Sequence, residues 1–189
     1  MDDQLLKTPV ANKQILTRQL PKTGQITSYN AGDDGDHEAG WWRGRSNANN
    51  LTRFVARTIA GDDVVIDRAT GLMWAADGIA AGGGNGLLYL WAAAVNYFNP
   101  AFVFAGWNDW RLPNTVEHIT ILNYGALAPT VYPPFVNIGL AGTMRYWTST
   151  TNPLIDTVAY YADFGMGLIG MFTKTPTPYH ILGCRNVAV

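Results

Sequence analysis

Gly106-Trp107-Asn108-Asp109-Trp110-Arg111-Leu112-Pro113 sets two indoles, a carboxylate and a guanidinium in one short corner just ahead of a helix start. Proline disfavours the α conformation in the residue before it, so Leu112 is expected to be extended. Asn114 and, three residues on, Glu117 have the spacing of a capping box, and Val116, Ile119 and Leu122 follow at helical spacing. The stretch therefore predicts a strand or corner, a stop, and a helix that Gly125 would terminate. Within it, Asp109 and Arg111 are expected to bond to each other while the indoles enter the core.

Upstream of the corner, Val64-Val65-Ile66-Asp67, Arg68-Ala69-Thr70-Gly71 and Leu72-Met73-Trp74 read as two apolar strands around a glycine-containing turn, a β-hairpin. Leu87, Trp91, Ala94, Val95 and Phe98, stopped by Asn99-Pro100, predict a first helix. The run from Gly82 to Gly86 before it reads as a flexible connector, because no Lys-Ser/Thr pair follows to make it a phosphate cradle. Residues 21–62 form a leader rich in Gly, Asp, Asn and Arg, expected to be loops pinned by aromatic anchors such as Trp41 and Trp42. Residues 1–20 carry scattered Leu, Ile and Val and suggest an arm that needs a neighbour to cover it.

Downstream, residues 146–150, 158–164, 168–172 and 179–184 are short runs of β-branched and aromatic residues, predicting an antiparallel meander. In the second run Val158, Tyr160, Ala162 and Phe164 would face the core, and Ala159, Tyr161 and Asp163 the half-exposed side. Two helices followed by a terminal sheet make an α+β domain over residues 63–189.

The chain has 189 residues, 13 Lys plus Arg against 14 Asp plus Glu, and one cysteine. That balance gives no field for nucleic acid or an anionic membrane, and no basic cluster supplies a local one. A single Cys184 excludes an intrachain disulfide and reads as a small buried hydrophobe. No apolar run is long enough to insert in a bilayer, and the start lacks the pattern of a secretory signal.

In order, Val65-Ile66-Asp67-Arg68-Ala69-Thr70-Gly71-Leu72-Met73-Trp74, the Gly106 to Pro113 corner, Tyr146-Trp147-Thr148-Ser149-Thr150, Asp163-Phe164-Gly165 and Gly183-Cys184-Arg185 resemble the Lcl C-terminal domain family. The resemblance covers roughly residues 60–189 and makes Asp109, Trp110, Arg111, Trp147, Cys184 and Arg185 its structural signature. It implies a C-type-lectin-like fold, related to formylglycine-generating enzymes, used in bacterial adhesins that engage glycans and in phage proteins that display a binding surface. Adhesin members sit behind an export signal or collagen-like stalk, and this chain shows neither, so a phage particle is the simplest setting, with an extracellular surface the other.

Trp107-Asn108-Asp109 spells a calcium-site triplet of lectins, but the partner Glu-Pro-Asn is missing. Asp33, Asp34, Asp36 and Glu38 fail the twelve-residue calcium loop, since Gly40 comes one position late and Arg45 stands at the bidentate position, so a solvated turn is expected. His37, His118 and His180 lack metal-ligand spacing and read as ordinary surface or half-buried residues. One thiol cannot perform the two-cysteine chemistry of the formylglycine-generating enzymes. No catalytic residue, metal or cofactor is therefore expected.

What remains is a surface, with Tyr132, Phe135, Asn137, Asn152, Asp156 and Tyr161 as candidate ligand-binding residues on the loop of residues 126–144, the turn of residues 151–156 and the neighbouring sheet. Two readings stay open for them: they contact a host glycan or surface protein, or they pin the loop to the core or to another subunit. The expectation is a non-enzymatic binding module in a homo-oligomer, possibly a trimer, on a virion tail or head fibre or a cell surface. The competing classes are a purely structural virion protein and a small enzyme of unidentified chemistry.

Overall fold

The hairpin forms and lies at the centre of the first of two antiparallel sheets. The computed structural model describes residues 20–42, 52–139 and 143–187; the arm of residues 1–19 and the leader segment 43–51 lie outside the described residues. β2 (Asp62–Asp67) turns into β3 (Leu72–Ala75), every residue of which is buried. Asp67 builds the turn, accepting the backbone N–H of Ala69 and the hydroxyl of Thr70, both at 2.9 Å. The same carboxylate takes the Arg53 guanidinium at 2.8 and 2.7 Å, and neither side chain is exposed at all. Arg53 also donates to the Thr120 carbonyl at 2.6 Å, fastening a helix to the sheet.

A strand that the sequence reading placed in the loop-rich leader, β1 (Phe54–Ile59), pairs along the outside of β2. Being at the edge, it buries only Phe54 and leaves its other residues half-buried or exposed, so no apolar alternation marked it. On the other side β3 pairs with β7 (Cys184–Asn186), giving the order β1-β2-β3-β7.

The second sheet is β4 (Arg145–Thr151), β5 (Val158–Asp163) and β6 (Leu168–Thr173), in that order. It holds three strands, not the four expected. Residues 179–184 instead run as a seam between the sheets. His180 exchanges backbone bonds with Arg145 and Trp147, at 3.0 and 2.9 Å, Gly183 bonds Gly82 and Ala75, and the chain then enters β7. The expected alternation along β5 also fails: Ala159, Ala162 and Asp163 are buried and Val158, Tyr160 and Tyr161 half-buried, because α3 packs against the strand while Trp147 and Tyr179 partly cover the face that carries Tyr161.

The described residues hold three short α-helices, α1 (Asp34–His37), α2 (Trp91–Tyr97) and α3 (Thr115–Ile121), and a 3-10 turn over Ala81–Gly86. α3 carries the expected capping box, with the Glu117 N–H donating to Asn114 Oδ1 at 2.9 Å and the Asn114 N–H to Glu117 Oε2 at 2.8 Å. It ends at Ile121, so Gly125 is not its terminator. α1 is a solvated turn capped by Asp33, whose carboxyl is held below its usual range by the Tyr29 N–H.

In the corner, Asp109 and Arg111 do not meet. Asp109 pairs with Arg185 at 2.6 and 3.1 Å, and Arg111 with Glu117 at 2.7 and 2.6 Å. The reason is backbone geometry: Arg111 and Cys184 exchange main-chain bonds at 2.9 and 3.0 Å, which lays the corner antiparallel to β7 and brings residue 185 to residue 109. Trp110 is buried, while Trp107 is half-buried beneath the Arg185 guanidinium, 4.5 Å from its ring centre.

Two further expectations change. Residues 82–84 are buried, and Gly82 lies against Ala75 and Phe104 with no room for a Cβ, so this segment is packed structure and not a loose connector. His118 is fully buried, its ring packed against Trp74 and Phe164, and His180 is nearly so, its ring against Tyr146. Burial pushes His118 down to about 3 against a smaller opposing pull from Glu117. Cys184 is buried as expected, and burial raises its thiol far above the usual range.

Candidate functional site

Across β4, β5 and β6 the register sets Arg145, Asp163 and Leu168 in one row and Trp147, Tyr161 and Gly170 in the next, with Ala159 beside Phe172 beyond. Directly opposed residues of an antiparallel sheet project from the same face, so these rows share one surface. Trp147 is its buried floor: its indole N–H donates to the Tyr89 carbonyl at 2.9 Å and Tyr179 covers it, ring centres 4.6 Å apart. Tyr161 stands edge-to-face against Tyr179 at 4.9 Å and leans across β6 over Gly170, where a Cβ would collide with its ring.

Arg145 also lies over that ring. Its Nε donates to Asp163 Oδ2 at 3.1 Å, and its Cζ lies 5.3 Å from the Tyr161 ring centre and 5.7 Å from that of Tyr179. The bond to Asp163, then that to Tyr179, holds the guanidinium pKa above its usual value, so it stays charged. Asp163 in turn accepts the N–H groups of Gly165 and Met166 at 2.9 and 3.1 Å, so the carboxylate that orients Arg145 also shapes the β5–β6 turn. The Arg145 side chain remains 40% exposed and Phe172 44%, which leaves a guanidinium edge and aromatic area open to solvent. Further along the same alternation Lys174 sets its ammonium 3.9 Å above the Trp91 ring.

Of the six residues named from sequence, Tyr161 belongs to this surface. Tyr132 and Phe135 do not: they are 1% and 7% exposed and pack on Phe54, so they are core and cannot offer ring faces to a ligand. The Tyr132 hydroxyl is spent on the Lys22 carbonyl at 3.1 Å. Asn152 is 8% exposed, and its Oδ1 accepts the N–H groups of Leu154 and Ile155, so it braces the turn. Asn137, half-buried with φ 55°, donates to Asp77 Oδ1 at 2.9 Å and locks its loop to the Asp77–Gly78 turn. Asp156 is exposed at a turn tip.

Arg145, Gly170, Phe172 and Tyr179 were missed. The alternation of residues 168, 170, 172 and 174 was readable, but only the strand register reveals that Arg145 sits beside Asp163 and Tyr161. Among the described residues no group of three or more His, Cys, Asp or Glu side chains could hold a metal ion, and no helix is long and apolar enough to cross a membrane.

The corner, hairpin and seam that support this surface are the segments quoted for the resemblance above. No curated protein matches the chain. The family model of the Lcl C-terminal domain matches residues 63–183, and the chain belongs to that family.

Proposed function

We propose that this domain is a non-enzymatic recognition module of C-type-lectin-like architecture that holds a glycan on the outer face of the β4–β5–β6 sheet. The observation that carries the reading is the Tyr161 ring, laid over Gly170 and clamped by Arg145 and Tyr179, beside the half-exposed Phe172. Sugar rings present C–H faces that stack on aromatic rings and hydroxyl edges that bond to guanidinium and carboxylate groups. Because these side chains are already fixed by one another, little rotamer freedom is lost when a ligand arrives. Display in a homo-oligomer on a phage particle or cell surface would multiply a weak single-site affinity.

A second reading, a structural virion protein whose surfaces meet neighbouring subunits, is favoured by a different observation. β6 is a sheet edge without a charged residue, and Met171 and Phe172 on it, with Leu154 and Ile155 in the β4–β5 turn, are 56%, 44%, 92% and 52% exposed. A glycan array separates the two. The recognition reading expects capture by the wild type and at least roughly tenfold weaker capture by Tyr161→Ala with its thermal midpoint little changed. No capture of any glycan or cell surface by the wild type would sink it and leave the structural reading.

A further inference from the structure

The two sheets end in β1, β7, β4 and β6, and three of these edges are closed among the described residues. β7 is covered by the corner through the bridge of Arg111 to Cys184, and β4 by the seam through that of Tyr146 to His180. On β1 the bond from the Arg68 N–H to the Arg53 carbonyl fixes the alternation, so Ala56 turns its main chain outward, and its carbonyl takes the Arg57 guanidinium at 2.8 Å. A cation on a strand edge keeps other strands away. β6 has no such guard. Leu168-Ile169-Gly170-Met171-Phe172-Thr173 holds no charge and no proline, and no main-chain bond from a described residue reaches its outer side.

The open edge also has a fixed polarity. The Lys174 N–H bonds the Thr157 carbonyl at 2.8 Å, so alternation along the pair commits Phe172, Gly170 and Leu168 to β5 and turns the N–H and C=O groups of Ile169, Met171 and Thr173 outward. A second β6 running antiparallel satisfies all three residues in one two-fold register, with Met171 opposite Met171. Ile169 then meets Thr173, and Gly170 meets Phe172. Other two-fold registers leave one of the three beyond the end of the facing strand. Like charges do not meet, since Lys174 falls opposite Leu168. The two-fold axis of such an antiparallel join stands perpendicular to the sheet, so both outer faces look the same way.

We propose that β6 pairs with β6 of a second copy of this chain, and that the partner's Phe172 completes the aromatic surface around Tyr161. The Tyr161 ring already lies over Gly170, the residue that the partner's Phe172 faces. Directly opposed positions lie about 4.5–5.5 Å apart, which brings the two rings together. Met171 and Phe172, 56% and 44% exposed in the single chain, become interface, and the dimer carries two copies of the surface on one side. The shared site rests on the recognition reading above; the pairing does not.

The pairing is therefore read without a glycan. The wild type should sediment as a dimer, and Met171→Lys, which sets like charges opposite each other, as a monomer with wild-type circular dichroism. Because that change could act indirectly, Leu168→Cys is combined with Lys174→Cys and oxidised. A covalent dimer is expected from the double variant and from neither single variant, because residue 168 faces residue 174 and not itself. Cys184 is buried and stays out of the reaction. A wild-type monomer or trimer, a dimer of Met171→Lys, or equal cross-linking of a single variant would overturn the pairing. For a soluble monovalent glycan drawn from the array, Met171→Lys should bind at least roughly fivefold more weakly than the wild type. Equal affinity would overturn the shared site.

Discussion

Tyr161 is placed by a neighbour that has no side chain. Gly170 gives it the space to lie across β6, so Gly170→Ala should force the ring away from Arg145 and Tyr179. Overpacking of this kind costs about 1–3 kcal/mol, and glycan capture is expected to fall with it while the helices keep their circular dichroism. His118 gives a second prediction. Its folded pKa, pushed to about 3 by burial, lies below the usual 6.5, so in the acid range the unfolded chain takes up a proton that the folded one refuses. Its contribution to stability is complete above pH 6.5 and is lost as pH falls from there towards 3, at up to about 1.4 kcal/mol per unit. Urea unfolding of His118→Leu across pH 4–7 should therefore show a flatter slope than the wild type; an identical slope would place the titration elsewhere.

At the level of elements, the corner between residues 106 and 113 works through Glu117. That carboxylate closes the α3 capping box and receives both arms of Arg111; burial would raise its pKa, but the bonds from Arg111 and the Asn114 N–H, with the neighbouring charges, together hold it below the usual value. Asn114→Ala should remove one half of the box and cost about 0.5–2 kcal/mol in thermal or urea unfolding. A value near zero would mean that Pro113 and the bond from Ser149 to its carbonyl hold the helix start alone. The cap, the hairpin turn and buried Cys184 were all legible in the sequence, because each depends on residues within a few positions of one another or on a single side chain's character. The partners of Asp109 and Arg111 were not, since residues 111 and 184 are brought together by strand pairing across most of the domain. Nor were the burial of Tyr132 and Phe135: aromatic residues in a proline-rich loop look alike whether they anchor the loop or project from it, and only the position of Phe54 decides.

For the whole molecule, the decisive feature is the seam of residues 179–184. It bonds to Tyr89 and Gly82 on one side and to Arg145 and Trp147 on the other, so main-chain hydrogen bonds join the two sheets beneath the aromatic surface. Sequence patterning assigned that run to the meander, since a buried connector between sheets is as apolar as a strand. A support of this kind suits recognition without rearrangement. The most direct measurement is a backbone and side-chain NMR titration of the wild type with the tightest glycan from the array. Recognition on this face requires that the perturbed signals cluster on Arg145, Tyr161, Gly170 and Phe172 and that the core signals of Trp74 and Tyr132 stay still. Perturbations confined to the loop of residues 126–139, or spread through the core, would contradict it.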